Sequence, residues 1–297
     1  MERTRISKKA DLILTSDWHL REDTPTCFTG DWYSEQWEAV QFIFDLQAKH
    51  QCPVIHAGDL FHHWKPSPWL LSKTMFFLPK EFRTIYGQHD LPQHNWELRE
   101  KSGLHTLEKA GRLKVMDGYH YGQPIYTGAS AHPIPPLTTK ILVWHHLTYT
   151  VKPFPDASGG MAEGILRKYP QFDLIVTGDN HQSFTAQYKN RLLVNPGNIT
   201  RQTADQADFK PRVYLWYADT NTVTPVYLPI SEGTISREHI QAKEERDERI
   251  SAFISQLEGD WDVGLSFEQN LEAFKQKNDI SDSVMETIYK ALENGND

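Results

Sequence analysis

VIHAGDLFHHWKPS, residues Val54–Ser67, is the stretch on which the reading of this chain turns. Val54–His56 reads as a short buried strand. It breaks at Ala57-Gly58, and the carboxylate of Asp59 follows where the chain must leave a sheet. α/β layer folds gather their ligands at the carboxyl ends of strands. Four other stretches share the form, an apolar run ending in side chains that can hold a metal: ILTSDWH, RTIYGQHD, ILVWHH and LIVTGDNH. Five such endings predict one site assembled from five strand ends.

The first run, Asp11–Thr15, delivers Asp17 and His19, two residues apart and able to converge on one ion. Trp32–Lys49 places Trp37, Val40, Ile43, Phe44 and Ala48 near the helical period, which predicts a crossover helix into Val54–His56. Pro68 suits a second helix start, with Trp69–Phe77 as its apolar face. Between them His62 and His63 lie within reach of a site without being evident ligands. Phe82–Tyr86 delivers Gln88, His89 and Asp90. Gln88 offers an amide oxygen to a hard ion, His89 can act on a substrate, and Asp90 is placed to receive the second imidazole proton of His89. Ser102–Leu113 reads as helix and turn, and Val115–Ala131 as short strands of a second sheet. Ile141–Trp144 ends in His145-His146; one of the pair should face the site, and His145 is preferred as the first residue off the strand. Leu147–Gly160 reads as a surface loop and Met161–Lys168 as a short helix. Phe172–Thr177 leads to Asp179 and His181, which alternate and can both point inward. Two hairpins follow, Phe184–Tyr188 with Arg191–Val194 and Arg212–Tyr217 with Thr222–Leu228.

The chain's 297 residues, 39% of them hydrophobic, suit one large α/β domain with a small appendage. No apolar run reaches membrane-spanning length and Met1–Ala10 has no signal-like core, which predicts cytoplasmic residence and no membrane contact. Cys27 and Cys52 give neither a disulfide framework nor a zinc-type spacing. The net charge of -8 is unevenly spread, with sixteen acidic against seven basic residues from Glu232 onward. The body therefore carries about +1 and has room for a positive groove. The grammar also changes there, which predicts a domain over residues 1–231 and an acidic helical extension over 232–297. Its apolar stripes are Ile250, Phe253, Ile254 and Leu257, then Phe267, Leu271 and Phe274, then Ile280, Val284, Ile288 and Leu292.

Asp17, His19, Asp59, Gln88, His145, Asp179 and His181 are too many ligands for one ion and suit two that share a carboxylate, with Asp59 as the natural bridge. Two such ions can activate water and stabilise phosphoryl oxygens during in-line displacement. His89 is left as acid or electrostatic donor to the leaving oxygen.

The motifs D17-x-H19, G58-D59, G87-Q88-H89-D90, the strand ending in His145 and G178-D179-x-H181 resemble those of the calcineurin-like metallophosphoesterases, in that family's order. The resemblance implies an α/β fold of two facing, mostly mixed β-sheets flanked by helices, here with a C-terminal helical extension. SDWHL at Ser16–Leu20, GDLFHHWKPS at Gly58–Ser67 and NPGNITR at Asn195–Arg201 are further similar to the nuclease subunit of the SbcD-type complex of DNA double-strand-break repair. That likeness implies metal A on Asp17, His19, Asp59 and His181, and metal B on Asp59, Gln88, His145 and Asp179. It makes His89 the catalytic histidine and gives His62 a part in the exonuclease reaction. It also implies DNA as substrate, with endonuclease cleavage and a homodimer left open, and an SbcC-type ATPase partner bound through the C-terminal helices. The family usually has Asn where Gln88 stands and His where Asp179 stands. The oxygen-richer second site favours Mn²⁺, or Mg²⁺, over zinc. A small-molecule phosphoesterase, or a non-catalytic subunit with a weakened second metal site, is the alternative.

Overall fold

The computed structural model of the chain describes residues 8–116, 125–127, 139–153, 155–238, 240–241, 246–250, 267–278, 281–282 and 284–286. Among these, β1 (Leu12–Thr15), β2 (Val54–His56), β3 (Phe82–Thr84) and β4 (Lys114–Val115) run parallel, side by side in that order. A second sheet contains β5 (Ile125–Thr127), β6 (Ile141–His145), β9 (Leu174–Gly178), β10 (Phe184–Tyr188) and β11 (Arg191–Asn195), in the order β10-β11-β9-β6-β5. Here β6, β9 and β11 are parallel, while β5 and β10 close the edges antiparallel. The hairpin of β12 (Arg212–Tyr217) and β13 (Thr222–Tyr227) returns to the first sheet and pairs antiparallel with β1. Both sheets are mixed and flanked by helices.

Side-chain alternation sorts the core into layers. Ile141, Val143, Leu174, Val176, Leu192 and Val194 pack into the same cluster as Ile13, Leu14, Val54 and Ile55 of the first sheet. Their odd-phase neighbours Leu142, Trp144, Ile175 and Leu193 instead pack on Ala162, Ile165 and Leu166. Those belong to helix α4 (Ala162–Lys168). The inner strands are apolar on both faces because both faces are covered, as parallel sheets require.

The crossover helix α1 spans Trp32–His50, with the Asp31 side chain accepting from Ser34 N at 3.0 Å. Its buried face uses Trp37, Val40, Ile43 and Leu46; of the positions expected there, Phe44 is half-buried and Ala48 exposed. Helix α2 (Pro68–Phe77) is capped by Ser67, whose hydroxyl accepts from Leu70 N at 3.1 Å. Its expected apolar face is only partly buried. Leu70 and Thr74 face inward, whereas Trp69 is 46% and Phe76 77% exposed. A short helix with apolar residues on several sides can turn only one stripe to the core.

The sequence placed a helix within Ser102–Leu113, and α3 occupies Gly103–Lys109. The expected surface loop Leu147–Gly160 is more ordered than its Pro and Gly content suggested. Its two ends pair in parallel as β7 (Thr148–Tyr149) and β8 (Gly160–Met161), and the Tyr149 hydroxyl donates to Gly159 O at 3.0 Å. Of the short strands expected over Val115–Ala131, β4 and β5 are described and the rest lies outside the described residues. Cys27 and Cys52 are buried free thiols.

Two compact units divide the chain, Met1–Ser236 and Arg237–Asp297. In the second, helix α5 spans Phe267–Asn278, with Leu271 buried. Ile250 and Val284 are each 46% exposed. The remaining expected stripe residues Phe253, Ile254, Leu257, Ile280, Ile288 and Leu292, and the side chains of Phe267 and Phe274, lie outside the described residues.

The first unit ends in a strap tied down by a buried ion pair. Arg201 Nη2 lies 3.3 Å from Glu35 Oε1 on α1 and donates to Ser231 O at 2.6 Å and Thr234 Oγ1 at 2.9 Å. Ser231 N donates to the other Glu35 oxygen at 2.9 Å. Replacing Arg201 by Met strands the buried Glu35 carboxylate without its cation, and should lower unfolding stability by about 3–5 kcal/mol. The shift of the urea unfolding midpoint at constant slope measures it, and a variant within error of the parent contradicts a structural role for the pair.

Candidate active site

The three adjacent parallel strands β1, β2 and β3 end on one edge of their sheet, and their loops are fastened together by backbone. Asp17 N donates to Gly58 O at 3.0 Å, His19 N to Asp59 O at 3.0 Å and Leu20 N to Leu60 O at 2.9 Å. These turns carry the side chains in rare conformations. Asp17, His19, Asp59 and Asp179 all have positive φ, between 44° and 73°. Left-handed backbone at a non-glycine residue costs on the order of 1–3 kcal/mol and persists where surrounding bonds over-determine it. Gly58, with φ of 94°, leaves room for the ring of His145, since a Cβ there would stand 2.6 Å from its Nδ1.

The second sheet supplies the opposite wall. His145, the last residue of β6, donates from Nδ1 to Ala57 O at 2.7 Å, which turns its Nε2 toward Asp59 Oδ2 at 3.2 Å. The same Asp59 oxygen is 3.7 Å from His19 Nε2, so Asp59 stands between the two imidazoles. His19 Nε2 is also 3.2 Å from His181 Nε2 and 3.9 Å from Asp17 Oδ1. Asp179 Oδ1 is 3.9 Å from His145 Nε2 and accepts from Gln88 Nε2 at 2.5 Å. All seven expected ligand residues thus lie in one connected group. His146 instead stacks on Trp144 with ring centres 4.1 Å apart.

His89 and His62 flank the group. His89 Nδ1 donates to the His62 carbonyl at 2.7 Å, and its backbone N–H donates to Asp59 Oδ1 at 2.9 Å. The two rings stack with centres 5.5 Å apart. Asp90 does not take the imidazole proton of His89, as its position in the sequence suggested. Its Oδ2 accepts from Leu60 N at 3.2 Å and Gly87 N at 3.1 Å, and its Oδ1 from Phe61 N at 3.1 Å. Three convergent amide dipoles outbid one imidazole, and the carboxylate clamps the loop after β2 to the loop after β3.

The electrostatics are those of a place built for cations. Burial, reinforced by Asp59, pushes Asp17 up to about 8. Burial likewise pushes Asp90 up to about 7, again with Asp59 adding to it. Burial works against charge at His145 as well, but the neighbouring Asp59 outweighs it and holds the ring above the usual imidazole range. Burial, with Arg21 adding to it, holds His62 down to about 4. Asp17 Oδ2, Asp59 Oδ2 and Gln88 Oε1 are buried with no hydrogen-bond partner among the described residues. Convergent lone pairs of this kind are stabilised by a cation between them and are costly otherwise. Two overlapping triads, Asp17 with His19 and His181 and Asp17 with Asp59 and His145, bring their ligand atoms within 4.8 Å of one another. Asp17 therefore joins Asp59 at the middle of the group. The residues present fit a pair of divalent ions.

Some supports had no role assigned from the sequence, although Asn195 opens the NPGNITR stretch. The Asn195 side chain donates to Asn180 O at 2.6 Å and Gln182 O at 2.8 Å and accepts from Thr177 Oγ1 at 3.0 Å, framing the turn that presents Asp179 and His181. Asp179 N donates to Asp17 Oδ1 at 3.0 Å, fastening the two sheets at the site. Both are side-chain-to-backbone or long-range bonds that no local pattern announces.

A mixed two-sheet α/β fold thus carries at its strand ends a buried carboxylate–histidine cluster whose donors suit divalent cations. The family model of the calcineurin-like phosphoesterases matches residues 11–271, and the chain belongs to that family. No curated protein matches it. Among solved structures it is similar to a novel archaeal phosphodiesterase, at 14% identity over 73% of this chain and 99% of that one, with a TM-score of 0.43. A predicted phosphoesterase from Streptococcus pneumoniae TIGR4 shares 15% identity over 73% and 96%, with a TM-score of 0.33. Vacuolar Protein Sorting 29 from Cryptosporidium parvum shares 14% over 74% and 97%, with a TM-score of 0.35. Likeness at these scores carries no inference about substrate or partner.

Asp59→Asn removes the anion that stands between His19 and His145. Both ions should bind more weakly in calorimetric titration with Mn²⁺, and phosphodiester hydrolysis should fall by at least ~10²-fold. Unchanged affinity at both sites would contradict the central placement of Asp59. In Asp90→Asn an amide nitrogen must replace one oxygen of the clamp, so at least one of the three N–H groups loses its acceptor. Thermal or urea unfolding should show a loss of about 1–3 kcal/mol, and a silent substitution would mean that the clamp is dispensable.

Proposed function

We propose that this chain is a divalent-metal-dependent DNA phosphodiesterase, acting as an exonuclease, with manganese as its working ion. The observation that carries the reading is the placement of His62. It stacks on His89 at the border of the carboxylate group and holds the His89 proton on Nδ1 through its own carbonyl. A second histidine beside the catalytic one suits a substrate with more phosphate chain to position than a small monoester has.

Asp17, His19, Asp59 and His181 would hold one ion, and Asp59, Gln88, His145 and Asp179 the other. When bound, such a pair supplies Lewis-acid polarisation of the phosphoryl oxygens and lowers the pKa of water at the reacting centre. The protein's own groups then handle orientation and the proton. With Nδ1–H committed to the His62 carbonyl, His89 presents Nε2 to the substrate. In its imidazolium form it stabilises the phosphoryl charge and gives the Nε2 proton to the leaving oxygen, returning to neutral imidazole. The Gln88–Asp179 bond leaves Gln88 Oε1 as the buried atom without a hydrogen-bond partner, an acceptor that would be available to the second ion. With Asp179 that gives an oxygen-rich second site, which favours Mn²⁺ or Mg²⁺. As a nuclease subunit the chain would work with an ATPase held by its acidic second unit.

Purified protein with Mn²⁺ should degrade linear DNA and hydrolyse a small phosphodiester in preference to a generic phosphomonoester. A strong preference for the monoester, with DNA untouched, favours the small-molecule phosphoesterase instead. His89→Asn should keep both ions by calorimetry while lowering kcat by ~10²–10⁴-fold. His62→Ser should impair DNA-end digestion more than small-diester hydrolysis, and equal losses would remove its role in positioning DNA.

A further inference from the structure

Three neighbouring strand ends each contribute one histidine to a second cluster, and it contains no carboxylate. His19 follows β1, His62 follows β2 and His89 follows β3, and one nitrogen of each lies within 4.8 Å of the other two. The ring centres are 4.8 Å apart for His19 and His89, 5.5 Å for His62 and His89, and 5.8 Å for His19 and His62. Three imidazoles around one tetrahedral ion, with metal–nitrogen bonds near ~2.0–2.1 Å, put their ring centres about 5 Å apart, and the observed separations bracket that value.

The lone pairs are available. Nδ1 of His19 and Nδ1 of His62 are buried and have no hydrogen-bond partner among the described residues. The His62 carbonyl can only accept, so His89 keeps its proton on Nδ1 and its lone pair on Nε2. The scaffold is fixed before any ion arrives. Leu20 and Phe61 form a parallel bridge, His62 N donates to Leu20 O at 3.1 Å, and His89 is tied to both Asp59 and His62.

We propose that His19, His62 and His89 form an alternative, nitrogen-only site for a zinc-class cation, overlapping the main centre at His19, and that its occupation inhibits the enzyme. Resting on the proposed phosphodiesterase reading, this extends it to regulation by the competing metal. Three imidazoles suit Zn²⁺, Ni²⁺ or Cu²⁺, while the main centre, with three carboxylates and an amide beside its imidazoles, is the more oxygen-rich and the better suited to Mn²⁺ and Mg²⁺. The two clusters therefore sort metals by donor type, across a distance of a few side chains. An ion on the three histidines ties up His89 Nε2, the nitrogen the reaction needs, and takes the single lone pair of neutral His19 away from the main centre. Zinc then acts as an inhibitor of a manganese enzyme without displacing both manganese ions.

Zn²⁺ titrated into the full chain saturated with Mn²⁺, with both metals counted after equilibrium dialysis, tests the assignment. The parent should take up one zinc per chain, lose no more than one manganese, and lose small-diester hydrolysis in parallel. His62→Ser and His89→Asn should each weaken zinc uptake at least ~10-fold, the scale of losing a supporting ligand, while binding Mn²⁺ as the parent does. Zinc affinity unchanged in both variants, or zinc uptake that removes both manganese ions, would place zinc in the carboxylate centre and overturn the proposal. A parent that binds zinc in this variant-sensitive way but holds no Mn²⁺ would count against the manganese reading alone.

Discussion

Burying several negative charges within one group of side chains is the constraint on which the structure of this protein depends. Asp17, Asp59 and Asp90 are all fully buried, and desolvation works against the charge of each. The chain answers it differently at each position. Asp90 is satisfied by three backbone amides and is a structural element. Asp59 is held below the usual carboxylate range, because His145, with help from His19 and His89, outweighs its burial. Asp17 receives one amide and keeps an unpartnered oxygen. The clamp closes the question at Asp90, while Asp17 and Asp59 each keep one buried oxygen with no hydrogen-bond partner among the described residues, and those free acceptors are the functional property of the site.

Rigidity follows from the same place. Four site residues sit in left-handed backbone, a cost borne by the ladder that continues from the sheet into the loops. Ala57 joins that ladder through its N–H on Thr15 O and supplies the carbonyl that orients His145. One residue therefore couples the first sheet to a side chain of the second. The imidazoles are aimed by main-chain carbonyls at both His145 and His89, so their tautomers are set by atoms that no side-chain substitution removes.

Much of this was legible in the sequence because the inner strands are apolar on both faces and end abruptly in polar side chains. Val54–His56 coincides with β2, and all seven expected ligand residues meet in one group. Local pattern was less informative where long-range bonds decide. Nothing beside Asp90 in the chain announces that amides from two loops will converge on it, and Glu35 reads as a surface residue of an amphipathic helix until Arg201 arrives 166 positions later. On α2 the run Trp69–Phe77 carried too little contrast between faces for periodicity to choose which side would be buried.

The layered core has a consequence for how a chain of this kind can vary. Leu174 and Val176 face one layer, Ile175 faces the other, and Asp179 follows one residue after the strand's end. Exchanging one branched apolar residue for another changes packing by fractions of a methyl group. Inserting or deleting a single residue reverses every facing and withdraws the carboxylate from the site at the same stroke. Spacing is therefore the inherited quantity here, and composition is the currency of drift: lineages can wander far in identity so long as the count from last core contact to first ligand stays in phase.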